Sequence, residues 1–192
     1  MGHRITTMSD IKLLHELIKE TAKQPINVND YGKRQVILTE PQCPKVSVTI
    51  SGLPDSVIVI KADTFTSPDS VFIGSHGECK RADFVIIADT GNKKVILCIE
   101  LKATKGSEKE IIQQLSGAQC FVSYCQKIGQ NFWGQSSFLE DYTYRFVSIG
   151  HISITKHKTR IDRRKETHDR PDRMMKVSSP HRLEFNHLAG AN

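Results

Sequence analysis

Several features that reveal a protein's class are missing from this sequence of 192 residues. It has no run of about 18 apolar residues, which excludes an ordinary membrane-spanning helix, and it opens without the pattern of a signal peptide. Its five cysteines are odd in number and include no C-x-x-C pair, so neither a disulfide framework nor a zinc knuckle is predicted. We therefore expect an intracellular, cytoplasmic setting in which thiols stay reduced.

What the chain does have is an excess of positive charge. Its formal net charge of +6 favours a polyanionic partner such as a nucleic acid. With 38% hydrophobic residues it can fill one core, so a single domain over residues 1–192 is expected. Residues 156–178 are polar and basic without a clear period, which predicts a loop or arm outside that core.

The order of helical and strand-like patterns predicts an α/β domain. A helix is expected at 9–23, and a second helix is expected to begin at Ser107, whose capping box with Glu110 precedes an apolar period, and to end near Gly129. Strands are expected where short apolar runs alternate with Gly and Pro, at 34–40, 46–52, 57–63, 81–89, 93–103, 144–154 and 181–188.

Two of these strands form a hairpin that brings charged residues together. RADFVIIAD and KKVILCIELKA flank the turn sequence TGN. If Gly91 and Asn92 make a two-residue turn, Asp83 comes opposite Glu100, and the apolar residues pair with one another in the same register. Lys102 lies two residues beyond Glu100 and so projects from the same face of the sheet.

Two opposed carboxylates in an apolar hairpin repel each other, and a divalent cation offsets that repulsion. Mg²⁺ or Mn²⁺ binds such carboxylates, polarises a phosphoryl oxygen and activates a water, while Lys102 would neutralise charge on the phosphate. The trio Asp83, Glu100 and Lys102 therefore predicts phosphodiester hydrolysis. The alternative interpretation is that Glu100 and Lys102 are strand-end residues that reach water and that Asp83 starts its strand beside Arg81.

Arg81-Ala82-Asp83 and Glu100-Leu101-Lys102, with a helix following, resemble the two half-motifs of the PD-(D/E)xK nuclease superfamily. Ala82 stands where the motif has proline, and the likeness is confined to about residues 79–128, with a preceding helix at 9–23. The resemblance implies a restriction-endonuclease-like fold, which is a mixed sheet flanked by helices with an αβββαβ core.

The resemblance also implies roles for individual residues. Asp83 and Glu100 would be metal ligands, the backbone carbonyl of Leu101 a further ligand, and Lys102 the catalytic lysine. Many members add an acidic residue from the first helix, for which Glu20 is the first candidate and Glu78 the second. Gln114 on the second helix either touches the nucleic acid or a water near the site, or is an ordinary surface glutamine.

Phosphate contacts are expected from basic side chains outside the hairpin, which are Lys105, Arg160, Arg163, Arg164 and Lys165. An equally good interpretation is that the arm is a solvated loop, since Asp162, Glu166 and Asp169 partly cancel its charge. We expect a metal-dependent nuclease, most simply a DNA endonuclease of restriction, phage defence or repair. The alternatives are an RNA endonuclease of the same fold and a non-catalytic nucleic-acid-binding or assembly subunit. Analogy with the family allows a homodimer or a partner subunit.

Overall fold

The computed structural model describes residues 8–39, 47–103, 106–150, 160–161, 167–178 and 180–190, with backbone alone at 160–161. Within these ranges the helices are α1 Asp10–Leu17, α2 Glu108–Phe132 and α3 Phe185–Leu188. The strands are β1 Ile26–Val28, β2 Arg34–Thr39, β3 Ser47–Ser51, β4 Ser56–Lys61, β5 Phe84–Asp89, β6 Lys94–Lys102, β7 Thr143–Gly150, β8 Arg160–Ile161, β9 Met175–Ser178 and β10 Arg182–Glu184. None of the helices in the described ranges has the length and apolar character needed to cross a bilayer.

The larger sheet has six strands in the order β4-β5-β6-β7-β9-β8. Strand β5 is antiparallel to both of its neighbours, β4 and β6, whereas β6, β7 and β9 are parallel to one another. A parallel pair needs a long crossover, and α2 supplies it between β6 and β7. The carboxyl ends of three parallel strands therefore meet at one edge of this sheet.

The smaller sheet has four strands in the order β1-β2-β3-β10, and β3 pairs in parallel with β10. It covers one face of the larger sheet, while α1 and α2 both cover the opposite face. Alternation along β6 makes this possible, because Leu97 and Ile99 point to the second sheet and Ile96 and Cys98 to the helices. The predicted α/β class with a mixed sheet is confirmed. Helices α1 and α2 pack on one face, and the short α3 packs with the second sheet on the other through Phe185 and Leu188.

The hairpin between β5 and β6 has the predicted register. Phe84 pairs with Ile99, Ile86 with Leu97 and Ala88 with Val95. Gly91 has a φ of +82°, which suits the first position of a two-residue turn, and the Thr90 amide donates to the Lys93 carbonyl at 2.9 Å. The same register, extended by one residue, sets Asp83 opposite Glu100.

The helix predicted at 9–23 was wrong beyond Leu17. Ile18 is extended, and a 3₁₀ turn follows at Glu20–Ala22. Lys23 then forms an isolated bridge with Ile60, and the Gln24 amide donates to the Val59 carbonyl at 2.9 Å. Pairing of this segment along the edge of β4 outweighs its helical propensity.

The predicted loop at 156–178 was wrong for residues 175–178, because these form β9 between β7 and β8. Only Val177 of this strand is buried, so four residues gave too little pattern to reveal it. The second helix also runs further than predicted, to Phe132. Gly129 does not end it but lets Phe138 pack closely, since a Cβ there would lie 2.2 Å from Phe138 Cδ1.

Candidate functional site

A row of polar side chains crosses the helix-covered face of the larger sheet near the carboxyl ends of its parallel strands. Glu100 of β6 pairs with Ser148 of β7, and Ser148 pairs with Lys176 of β9. Asp83, one residue before β5, continues the row on the other side of Glu100. Both neighbouring positions on this face, Val85 and Cys98, are buried core residues. The apolar face of the sheet is therefore bordered, at the ends of its parallel strands, by two carboxylates, a hydroxyl and an amine.

Glu100 and Lys102 form a close ion pair inside this corner. Their Oε1 and Nζ atoms lie 2.8 Å apart, and the Glu100 side chain is only 1% exposed. Burial lowers the pKa of Lys102, but its hydrogen bond with Glu100 and the charges of Glu100 and Asp83 outweigh that effect and leave the pKa raised. Lys102 is therefore an ammonium at neutral pH and can act as a fixed positive charge but not as a base.

Asp83 is held against the end of β6 by the backbone. Its Oδ2 accepts a hydrogen bond from the Leu101 amide at 2.7 Å, and its carbonyl accepts one from the Ala62 amide at 2.8 Å. The carboxylate of Asp83 thus sits beside the Glu100–Lys102 segment. The prediction for Leu101 concerned its carbonyl, whereas the contact found is through its amide.

A cleft of about 200 Å³ opens beside this row. Its lining includes the ends of the three parallel strands and the start of α2, through Lys102, Ser148, Gly150, Lys176, Ser178 and Glu108. Lys176 Nζ lies 2.8 Å from Glu108 Oε1. Ligands of open α/β sheets bind at the carboxyl ends of parallel strands, and a helix N-terminus favours an anion there. The cleft therefore brings two lysines, Lys102 and Lys176, to the N-terminus of α2, with Lys176 paired to Glu108.

Helix α2 fixes the segment that leads to Asp83. A Cβ on Gly117 would lie 1.7 Å from the Lys80 carbonyl oxygen, so the two backbones touch and only glycine fits. Lys80 Nζ also contacts Glu110 Oε1 at 3.2 Å, and Gln113 Nε2 donates to the His76 carbonyl at 2.8 Å. The position of Asp83 therefore depends on close packing against α2. Ser107 occupies the N-cap position of α2 as predicted, but without the side-chain bond of a capping box.

Gln114 is partly buried on the same helix, so it is not a simple surface residue. Its Oε1 is buried and meets no hydrogen-bond donor among the described residues. Contact of Gln114 with nucleic acid or a water remains a prediction.

The acids proposed as a third metal ligand do not join the row. The Glu20 carboxylate is 86% exposed and pairs with Lys23. Glu78 is exposed, and hydrogen bonds from the backbone, among them the Gly74 and His76 amides, lower its pKa. Across the described ranges, no group of three or more His, Cys, Asp and Glu side chains is arranged to hold a metal.

Asp83 and Glu100 are the type of ligand that a hard divalent cation prefers, since Mg²⁺ takes one or two carboxylates and keeps several waters. Sulfur and imidazole do not belong to the row, which disfavours softer metals. In the structure Asp83 Oδ2 accepts from the Leu101 amide and Glu100 Oε1 pairs with Lys102. Binding of Mg²⁺ or Mn²⁺ by these carboxylates remains a prediction.

Sequence reasoning missed Ser148 and Lys176. Ser148 lies in an apolar strand two residues after buried Phe146, and Lys176 lies in the segment predicted as a loop. Only the parallel pairing of β6, β7 and β9 places them beside Glu100. The one available signal for Ser148 was a polar side chain on the same strand face as the apolar Phe146.

The predicted phosphate-binding residues are not tested by the structure. Lys105, Arg163, Arg164 and Lys165 lie outside the described residues, and Arg160 is described only by its backbone in β8. Comparison of the chain with protein-family models, curated proteins and solved structures finds no match. Function must therefore be argued from the geometry of the site.

Proposed function

We propose that this protein is a metal-dependent nuclease of the PD-(D/E)xK type, acting most simply as a DNA endonuclease. The observation that carries the proposal is the group at the end of the hairpin, where Asp83 contacts the Leu101 amide and Glu100 pairs with Lys102. Of these residues, Lys102 lines the cleft at the strand ends. If β1, β2 and β3 of the smaller sheet are treated as an insertion after α1, the remaining order α1, β4, β5, β6, α2, β7 supports an αβββαβ core.

Each residue of the site has a distinct task in this proposal. Asp83 and Glu100 would hold Mg²⁺ or Mn²⁺, with the Leu101 carbonyl as a further candidate ligand. The bound cation would supply a polarised phosphoryl oxygen and an activated water. Lys102, which lines the cleft, would stabilise negative charge that develops on the phosphate. Lys176 and the Ser148 hydroxyl line the cleft and orient the phosphate.

The second candidate function is a non-catalytic nucleic-acid-binding or assembly subunit. It is favoured by the closed ion pair between Glu100 and Lys102 and by the absence of a third acid from the described part of the site. In that case the ion pair would serve stability, and nucleic acid would bind without being cut.

The deciding experiment compares cleavage of linear DNA, circular DNA and RNA with Mg²⁺, with Mn²⁺ and with chelator. Wild type, Lys102→Ala and Lys94→Ala are assayed together, because Lys94 is the same residue type at the opposite end of the same strand. We expect metal-dependent cutting that falls by about 10²- to 10³-fold in Lys102→Ala and persists in Lys94→Ala. Cutting of the circle identifies an endonuclease.

Thermal unfolding of the three proteins shows whether Lys102→Ala is folded. Binding of nucleic acid without cutting in either metal would reject the nuclease and leave the second candidate. Cleavage of RNA but not of DNA would support phosphodiester hydrolysis and would change the proposed substrate from DNA to RNA.

A further inference from the structure

A second cavity, of about 590 Å³, lies beside residues 80–81, which come just before Asp83. It opens between α2 and the segment after β4, and its lining includes four aromatic side chains. The residues used below are Phe65, Phe72, Phe121, Tyr124, Lys80 and Arg81. Cavities of this size accommodate flat organic groups.

Three of the aromatic rings form a connected wall, with Phe65 in contact with the other two. The ring centroids of Phe65 and Phe121 are 5.3 Å apart, and those of Phe65 and Tyr124 are 6.0 Å apart. The guanidinium of Arg81 lies 5.6 Å from the Phe65 centroid, within the range of a cation–π contact. The wall thus combines π faces with a positive charge.

The same region exposes an unusual amount of apolar surface. Phe72 and Tyr124 are 53% and 56% exposed, and Ile73, at the tip of the neighbouring loop, is 94% exposed. Contiguous apolar surface of this kind marks a binding site. Its occupant should therefore bury aromatic surface.

Polar groups around the cavity favour a base over an apolar side chain of a protein. The Arg81 guanidinium lies over the Phe65 ring and donates from Nη1 to the Cys79 carbonyl, so the aromatic wall carries a positive charge that complements a phosphate backbone. Lys80 lies beside it, paired with Glu110 at 3.2 Å, and the acid at the rim, Glu78, accepts hydrogen bonds from two backbone amides. The cavity is therefore complementary to a nucleotide, whose base can stack on the rings while its phosphate meets the positive charge.

We propose that this cavity binds an unstacked base of a single-stranded or locally unpaired nucleic acid whose backbone passes Asp83 and Lys102. The inference rests on the proposed nuclease function and names its substrate class. Arg81 and Asp83 are two residues apart, so their Cα atoms lie within about 7 Å, which one strand can bridge. Stacking on aromatic rings tolerates any base, and an unpaired base enters without breaking a base pair.

The test measures binding, in chelator so that nothing is cut, of an oligothymidylate and of an abasic sugar-phosphate strand of equal length. We expect wild type to prefer the strand with bases by at least about five-fold. The Phe72→Ala/Tyr124→Ala variant should lose this preference and keep its affinity for the abasic strand. Cys120→Leu, which narrows the cavity from an exposed position on α2 without adding a ring, should also weaken the preference.

The matched control is Tyr31→Ala, which removes an aromatic ring that is 85% exposed and far along the chain from the cavity. It should keep the preference. The inference would be overturned if both cavity variants still preferred the strand with bases, or if they changed only self-association. Cleavage by wild type would in that case still support the nuclease proposal. Wild type that binds neither strand and cuts no substrate would overturn the nuclease as well.

Discussion

The two faces of β6 differ in how far their apolar character extends. On the face toward the second sheet, Leu97, Ile99 and Leu101 are all buried to the end of the strand. On the face toward the helices, apolar residues give way to Glu100 and then Lys102. One strand therefore supplies uninterrupted core on one side and a polar corner on the other.

This difference separates stability from function along a single strand. The sheet-side residues have no polar group to offer and act only through packing. The helix-side residues beyond Cys98 add little apolar burial but bring charges to the edge where parallel strands end. Variants on the two faces should therefore fail in different measurements.

The largest expected effect on the sheet side comes from Leu97→Ala. Leu97 is fully buried between the two sheets, and a cavity there should lower the free energy of unfolding by about 2–5 kcal/mol. Urea denaturation gives this value, and cleavage per folded molecule should match wild type. A large loss of cleavage at full folding would mean that the two faces are not separable.

A smaller effect is expected from Lys176→Ala at the edge of the polar row. If Lys176 leaves Glu108 to bind a phosphate, its removal should reduce the salt dependence of nucleic-acid affinity by about one released counterion. Titration at several salt concentrations measures this slope. Lys33→Ala, an exposed lysine in the turn between β1 and β2, is the control. Equal slopes for Lys176→Ala and wild type would remove Lys176 from the site.

The smallest effect concerns His168, which is buried near α3 and whose Nε2 donates to the Leu188 carbonyl at 2.7 Å. Burial lowers the pKa of His168, and the charges of Arg145 and Lys93 lower it further. The hydrogen bond to Leu188 and the charge of Asp169 raise it by less, so the pKa is lowered overall. His168 therefore has a higher pKa in the unfolded chain than in the folded protein, and its protonation favours the unfolded chain. The free energy of unfolding should decrease as the pH drops below about 6.5.

His168→Gln keeps a hydrogen-bond donor without the titration and should show a shallower loss of stability between neutral and mildly acidic pH. Urea denaturation at the two pH values measures this difference. The same pH dependence in both proteins would show that His168 is not responsible.

The parts of the fold that depend on neighbouring residues could be predicted from sequence. The turn sequence with Gly91 predicted the hairpin register, and with it the position of Asp83 opposite Glu100. The helix at the start was predicted too long because bridging of Lys23 to Ile60 is a long-range contact that local propensity does not contain.

The parts that depend on parallel pairing could not be predicted. Ser148 and Lys176 reach Glu100 only through contacts between strands far apart in the chain. The same limit hid the second sheet, because β10 pairs with β3 across most of the sequence. The aromatic cavity likewise joins the segment after β4 to the outer side of α2.

The pairing of β3 with β10 also imposes an order of assembly during translation. β3 leaves the ribosome long before β10. The edge of β3 that pairs with β10 therefore lacks its partner while most of the chain is synthesised. An open strand edge in a nascent chain invites pairing with other chains. Completion of the second sheet is therefore a late step, and this edge is where molecular chaperones would be most needed.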